Sequence, residues 1–143
     1  MVRGSVELHA MNVALRLCTI YGTDRASAHM PVGKITLVFF QNAAGHEPVR
    51  DWLKVLPVDD RRAIGQDLMR LQCRWPVGMP LCRNLGAGLW EVRSSLPNNR
   101  IARVIFRANA GQLVALHGFI KKSERTPKGD LELARSRSKE LDT

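Results

Sequence analysis

The sequence predicts an α+β fold in which an antiparallel β-sheet packs on a helical hairpin and a further helix ends the chain. Three consecutive segments between Leu89 and Lys122 have the composition of strands, and turn residues separate them. Two earlier segments carry apolar residues at helical spacing. With 143 residues, of which 45% are hydrophobic, the chain is long enough for one domain with its own core. The predicted order of elements is β-α-α-β-β-β-α.

The N-terminal part divides into an extension and the start of this domain. Residues 1–30 show no regular pattern, so we predict an N-terminal extension of unknown role, with Met30 as an alternative translation start. The domain then covers residues 31–143. Its first strand is predicted at Lys34 to Phe40, where β-branched and aromatic residues form a run typical of a buried strand that completes the sheet.

Two helices, joined by a link of three or four residues, are predicted next. The first runs from about Pro48, which suits a first helical turn, to Leu56, which a proline follows. Asp59 is placed to cap the second helix, which continues to about Leu71. Residues 72–88 are rich in proline and glycine and are predicted to be a connecting loop. The apolar sides of both helices then cover the apolar face of the sheet.

A last helix is predicted after the sheet. Thr126 is a good N-cap, and the acidic residues lie early and the basic residues late in the segment, in agreement with the helix dipole. Its apolar face is thin, which predicts that the helix docks weakly or serves a partner.

Alternation along the three predicted strands separates their side chains onto two sheet faces. One face is apolar and includes Trp90, Val104 and Phe106. The other face collects most of the cationic side chains, provided that no β-bulge shifts the count: Arg93, Arg103, Arg107, His117 and Lys121. Phe119 falls on this second face as well. The predicted turns are Pro97-Asn98-Asn99 and Asn109-Ala110-Gly111.

Charge is distributed unevenly along the chain. The net charge is +9, from 22 Lys and Arg against 13 Asp and Glu. Residues 61–125 hold twelve cations and three acids, whereas the segments on either side are each balanced. A basic excess in the sheet and in the segment before it favours a polyanionic partner, either nucleic acid or an acidic protein. A basic surface without a specific ligand is the alternative.

The remaining composition argues against several kinds of site. Cys18, Cys73 and Cys82 form no Cys-x-x-Cys pair, which disfavours a disulfide framework and suits a reducing cytoplasm. The four histidines are scattered, with no paired carboxylate motif, so we predict neither a metal site nor a cofactor. No apolar run approaches the roughly 18 residues that a membrane span needs.

The cationic face suggests RNA cleavage. Attack by the RNA's own 2′-hydroxyl needs a group that takes its proton, cations that stabilise charge on phosphorus, and a group that protonates the departing 5′-oxygen. Arg93, Arg103 and Arg107 are candidates for the phosphate, since arginine forks bind phosphate bidentately. His117 is a candidate base or acid because histidine titrates near neutral pH, and Lys121 would stabilise charge or transfer a proton. Phe119 would stack on a base.

Each of these residues also has a plainer interpretation. The arginines would form a solvated face, His117 would only hydrogen-bond to a neighbour, and a terminal helix would cover Phe119. Spacing alone leaves both interpretations open.

Four pieces of the sequence, in order, carry a family resemblance: LWEVR from Leu89, RVIF from Arg103, LHGFIKK from Leu116 and RTPK from Arg125. This combination resembles phage-derived RelE-like proteins, the HigB-type toxins of bacterial type II toxin-antitoxin systems. The resemblance covers roughly residues 34–141.

The resemblance implies a β-α-α-β-β-β-α toxin that cleaves messenger RNA in the ribosomal decoding site without a metal. It also implies a helix-turn-helix antitoxin, HigA-like, as partner. By position, Arg93, Arg103, His117 and Lys121 would be catalytic. Phe119, Lys122 and Lys128 would bind RNA by the same positional match, and Arg107 of the predicted cationic face completes the RNA-binding set. The chain lacks the late tyrosine that some RelE-like members use, because its one tyrosine, Tyr21, lies in the extension.

Two alternatives remain open from the sequence. A ParE-like gyrase poison would use the same scaffold and would need no cluster of RNA-cleaving residues. A non-catalytic basic module would bind only nucleic acid or an antitoxin.

Overall fold

A computed structural model describes residues 35–121 and 125–142 of the chain. The elements are β1 (Thr36–Phe39), α1 (Pro48–Val55), α2 (Val58–Arg74), β2 (Cys82–Gly86), β3 (Leu89–Leu96), β4 (Arg100–Asn109), β5 (Gln112–Lys121) and α3 (Lys128–Leu141). The predicted α+β class is confirmed, and the predicted three-stranded meander corresponds to β3, β4 and β5. The predicted extension, residues 1–30, and Lys122 lie outside the described residues.

The five strands form one sheet in the order β1-β5-β4-β3-β2, with β1 parallel to β5 and the other neighbours antiparallel. Asn98 and Asn99, in the turn between β3 and β4, have φ values of 63° and 57°. Ala110 and Gly111, in the turn between β4 and β5, have φ values of 50° and 78°. Asparagine and glycine adopt this left-handed conformation at little cost, whereas Ala110 adopts it against its preference, and both predicted turns form as hairpins.

Strand β2 is the element that the sequence prediction missed. The predicted loop over residues 72–88 is wrong at both ends, because α2 continues to Arg74 and Cys82–Gly86 pairs with β3. Residues 86–88 all have positive φ, so this glycine-rich run makes the tight turn of a β2–β3 hairpin. β2 is an edge strand with exposed side chains such as Arg83, and it therefore lacks the apolar alternation that identifies a strand.

Helices α1 and α2 form the predicted hairpin on one sheet face, here called the hairpin face. The strand residues of this face include Trp90, Val92, Ala102, Val104 and Phe106. The helices bury Val49, Leu53, Ile64, Leu68 and Leu71 against the sheet. Trp52 lies so close to Gly118 of β5 that a Cβ atom at position 118 would overlap the indole ring. A glycine is therefore required in the middle of this strand.

The start of α2 differs from the prediction. The link between the helices has two residues, not three or four, and α2 begins at Val58 with no side-chain cap hydrogen bond. The predicted cap, Asp59, is therefore wrong. The next residue, Asp60, is buried and accepts hydrogen bonds of 2.9 and 3.0 Å from both terminal nitrogens of Arg100. This ion pair fastens the beginning of α2 to the beginning of β4.

A β-bulge in β5 changes the predicted alternation before Leu116. Residues 105 and 106 of β4 pair with His117 and Ala115, so Leu116 is the extra residue. Ala115 consequently lies on the hairpin face and Val114 on the other face, the reverse of what alternation without a bulge would give. His117 and the residues after it keep the predicted face.

Candidate functional site

The second sheet face, here called the arginine face, carries the predicted cationic set. Its members are Arg93, Arg103, Arg107, His117 and Lys121. The register pairs Arg93 with Arg103, and Arg103 with Phe119, so these three residues form one row across β3, β4 and β5. Residues paired in this way have Cβ atoms about 4.5–5.5 Å apart. Lys121 pairs with Ile101 in the adjacent row.

A buried carboxylate, Glu91, lies between two of these arginines. Its Oε1 atom is 3.8 Å from Nε of Arg93 and 3.9 Å from Nε of Arg103. Its Oε2 atom accepts a hydrogen bond of 2.5 Å from the Thr126 hydroxyl. Glu91 and Arg103 are completely buried, whereas 19% of the Arg93 side chain is exposed. Arg93 is therefore the member of this arginine pair that a dissolved ligand reaches, and Arg103 is a buried partner of Glu91.

Helix α3 holds His117 from two sides. Nε2 of His117 lies 2.7 Å from Oδ1 of Asp130, and Nδ1 lies 3.3 Å from Nη1 of Arg137. Because a guanidinium only donates hydrogen bonds, the Arg137 contact assigns a lone pair to Nδ1 and the proton to Nε2, which faces Asp130. Phe119 stacks beside the imidazole at a centroid distance of 5.6 Å, and it is buried. Both ring nitrogens are thus engaged, as the plainer interpretation of His117 expects.

Sequence reasoning missed Asp130 and Arg137 as partners of His117. They lie seven residues apart on α3, with the buried Ala134 between them, so all three face the sheet. Arg137 also donates a hydrogen bond of 2.8 Å to the carbonyl of Leu116, the bulged residue. Burial lowers the pKa of the Arg137 guanidinium, and Glu140 opposes this effect. The spacing of these residues in α3 was the available signal.

Arg107 binds the C-terminal end of the same helix. It donates hydrogen bonds of 3.0 and 2.9 Å to the carbonyl and hydroxyl oxygens of Ser138. It also donates to both carboxylate oxygens of Asp142, at 3.2 and 2.9 Å. The hydrogen bond from Arg107 is the main reason why the pKa of Asp142 lies below its ordinary value. Arg107 therefore anchors α3 in this structure.

The beginning of α3 also differs from the prediction. The N-cap residue is Pro127, and no side chain caps the helix. Thr126, the predicted cap, instead donates its hydroxyl to Glu91. Since α3 buries only Ala134 completely, the polar contacts of Thr126, His117 and Arg107 add to the partial apolar packing of Leu131 and Leu141 in holding the helix on the arginine face.

The exposed cations of the arginine face lie beside this buried network. Lys121 is exposed at the end of β5, and Lys128 is exposed at the start of α3. Arg83, predicted to be a loop cation, is an exposed strand residue that pairs with Glu91. Together with Arg93 they give this part of the surface donors suited to the oxygens of a polyanion.

Neither a metal-binding cluster nor a membrane-spanning helix is present in the described ranges, residues 35–121 and 125–142. No group of three or more His, Cys, Asp and Glu side chains in these ranges is placed to hold a metal ion. No helix in them is long and apolar enough to cross a membrane.

The fold and this face define a small α+β protein whose sheet presents cations beside a C-terminal helix. Residues 51–139 match a family described as phage derived protein Gp49-like (DUF891). The match covers more than half of the chain, which therefore belongs to the Gp49-like family, a family related to toxin-antitoxin systems. Membership is consistent with a toxin that has an antitoxin partner. No curated protein matches the chain significantly.

Proposed function

We propose that this protein is the toxin of a type II toxin-antitoxin system and cleaves messenger RNA on the ribosome without a metal. One observation carries the proposal: in a chain of the Gp49-like family, Arg93, Lys121 and His117 lie on one sheet face, with Phe119 stacked beside the histidine. The proposed partners are a HigA-like helix-turn-helix antitoxin, the ribosome and its messenger RNA. The proposed location is the cytoplasm.

The proposed reaction is an internal transfer of the phosphodiester. The 2′-oxygen attacks phosphorus and loses its proton, the bond from phosphorus to the 5′-oxygen breaks, and the 5′-oxygen gains a proton. The products are a 2′,3′-cyclic phosphate and a 5′-hydroxyl, so no metal and no redox partner enters the balance. Arg93 and Lys121, which both have exposed surface, are proposed to stabilise the charge that develops on the phosphate oxygens.

His117 is proposed to transfer a proton. For this, one of its ring nitrogens must first be released from its present hydrogen-bond partner. In the structure the lone pair of Nδ1 accepts from Arg137 at 3.3 Å, while Nε2–H faces Asp130 at 2.7 Å. We propose that the longer of these two contacts, between Nδ1 and Arg137, is the one that breaks. When Arg137 moves away from Nδ1, that lone pair becomes available to the 2′-hydroxyl, and Asp130 stabilises the imidazolium that results.

The other predicted residues take supporting roles in this proposal. Arg103, which is completely buried, positions Glu91 and through it Arg93. Arg107, Phe119, Lys122 and Lys128 remain proposed RNA-binding residues. In the structure Arg107 is hydrogen-bonded to α3 but keeps 19% of its side chain exposed, whereas Phe119 is buried and reaches RNA only if α3 shifts.

The function is tested by expressing the protein in a bacterial host with and without the gene that neighbours its own. Growth arrest that this gene relieves, together with messenger RNA cut within ribosome-protected fragments, is the expected result. Full-length messengers during arrest overturn the proposal. DNA breaks with intact messengers would identify a gyrase poison instead, and the absence of any arrest would identify a non-catalytic module.

Variants connect the activity to the face. His117→Ala and Arg103→Ala are expected to abolish toxicity and to leave antitoxin binding intact. Because Arg103 is buried and its loss affects folding, Lys121→Ala provides the sharper test, with Lys54→Ala of α1 as a matched exposed control. We expect Lys121→Ala to reduce the cleavage rate at least tenfold and Lys54→Ala to leave it unchanged. Equal rates in both variants would remove Lys121 from the site.

A further inference from the structure

A basic cleft lies beside the arginine face, at the edge of the sheet. Its volume is about 760 Å³. Helix α2 lines it with Arg70 and Arg74, the following segment with Val77 and Leu81, and strand β3 with Arg93 and Ser95. Arg93 belongs to the arginine face as well, so the cleft continues that face around the edge of β3.

The cleft exists because β2 covers only part of β3. The last pair between these strands is Cys82 with Val92, and the backbone N–H of Arg93 donates to the carbonyl of Leu81 at 3.0 Å. Backbone groups of alternate residues face the same neighbour, so the N–H and C=O of Ser95 point to the same side as those of Arg93, beyond the end of β2. Ser95 is thus the one residue of β3 whose unpaired backbone groups face the cleft. One residue is too short an edge to pair with an added strand.

The charge of the cleft is positive. Asp67, the acid of its lining, lies 2.7 Å from Nη1 of Arg70, and 57% of the Arg70 side chain remains exposed. Arg74 is exposed, and Gln66 and Ser95 add neutral hydrogen-bond donors. Arginine forks with neutral donors are the groups that proteins use to hold phosphate and sugar oxygens.

We propose that this cleft binds the phosphodiester backbone of single-stranded RNA where the strand leaves the arginine face over the edge of β3. The inference rests on the proposed function, which places RNA on the arginine face. Arg93 lines both this face and the cleft, so the RNA strand can pass from one to the other. Arg70 and Arg74 each bind a phosphate, and the apolar side chains of Val77 and Leu81 contact the sugars. The role accounts for basic residues of α2 that lie outside the catalytic proposal.

Fluorescence anisotropy with a labelled 2′-O-methyl uridine dodecamer tests the cleft, because this probe lacks the 2′-hydroxyl and cannot be cleaved. The full chain is compared with Arg70→Ala/Arg74→Ala. The matched control, Lys54→Ala/Arg62→Ala, removes two exposed charges from the same helical hairpin outside the cleft lining. We expect the cleft variant to raise Kd at least tenfold in 50 mM KCl and the control less than threefold. The slope of log Kd against log salt should fall by about 1.4 for the two lost phosphate contacts.

Equal weakening by both double variants would overturn the proposal, because charge alone would then explain the binding. Poly-L-glutamate that competes with the probe, and depends more strongly than the probe on Arg70 and Arg74, would assign the cleft to an acidic polypeptide instead. The proposed function fails separately. If the protein binds the dodecamer through the cleft but leaves messengers intact in cells, the cleft stands and the nuclease does not.

Discussion

At Gly118 the helical hairpin packs so closely on the sheet that no side chain fits between them. The Trp52 ring occupies the space that a Cβ atom would need. Gly118→Ala is expected to lower the free energy of unfolding by roughly 1–3 kcal/mol, because either the indole or the strand must shift. Gly129→Ala is the matched control, since no atom lies within 4 Å of its Cβ position. Urea denaturation of both variants measures the difference, and equal stabilities would contradict the close contact.

The buried thiol of Cys82 is expected to make the free energy of unfolding fall as the pH rises in the alkaline range. Burial, and secondarily the Asp67 carboxylate, raise the pKa of its thiol from 9.0 to about 12. The pKa of the thiol is higher in the folded chain than in the unfolded chain. Above pH 9 the unfolded chain therefore releases this proton while the folded chain keeps it. As a result, the stability falls as the pH rises towards 12. Between pH 8 and pH 10 the loss is roughly 1 kcal/mol. Urea denaturation at both pH values, compared with Cys82→Ala, isolates this dependence, and parallel losses in both proteins would refute it.

Alternation placed the cationic residues on their face correctly, because the bulge at Leu116 falls before His117. The sequence could not separate Arg93, which is partly exposed, from Arg103, which is buried. That difference depends on Glu91 and on Thr126, which lies 35 residues away along the chain. The sheet face on which a side chain lies follows from alternation along its own strand. Its burial depends on the other elements that pack on that face.

A polar side chain attaches helix α3 to strand β5. Arg137 links the helix to β5 through the Leu116 carbonyl and His117. Arg137→Met is expected to lower the free energy of unfolding by roughly 1–3 kcal/mol, because it leaves the Leu116 carbonyl without its donor. Arg135→Met, at an exposed position of the same helix, should change it by less than about 0.5 kcal/mol. Urea denaturation compares the two, and equal effects would show that the polar contacts of α3 do not hold it.

The elements that sequence periodicity predicted well are those with one buried face, namely α1, α2 and the meander. Strand β2 escaped prediction because it lies at the sheet edge with exposed side chains, and its residues 86–88 form a turn. The helix boundaries also depend on tertiary contacts. Asp60 binds Arg100, and Thr126 binds Glu91, so neither helix start uses a side-chain cap.

For the whole molecule, net charge identifies a basic protein but not its binding surface. Several of the cations in residues 61–125 are committed to ion pairs: Arg100 with Asp60, Arg103 with Glu91, and Arg107 with Asp142. Among the exposed cations, Lys121 lies on the arginine face, Arg70 and Arg74 line the cleft beside α2, and Arg62 lies outside both. Composition sums both groups, and only the fold separates cations that hold the protein together from cations offered to a ligand.

The sheet and the helices on its two faces should unfold as one unit, although different groups hold the helices on each face. The Asp60–Arg100 pair lies at the start of β4, and His117 pairs with Ile105, five residues along that strand, so about 16 Å separates the two sites. Asp60→Asn is expected to cost about 2 kcal/mol through the lost charged hydrogen bonds. At this separation its effect should add to that of Arg137→Met within about 0.5 kcal/mol.

Circular dichroism and tryptophan fluorescence during urea denaturation of the double variant test this expectation, because they follow the backbone and the hairpin face independently. Coincident transitions with additive losses are expected, since both sites stabilise a sheet that unfolds cooperatively. Two separated transitions would mean that α3 and the arginine face unfold apart from the hairpin. A double variant that loses less than the sum by more than 1 kcal/mol would mean that the two contacts are coupled through the sheet.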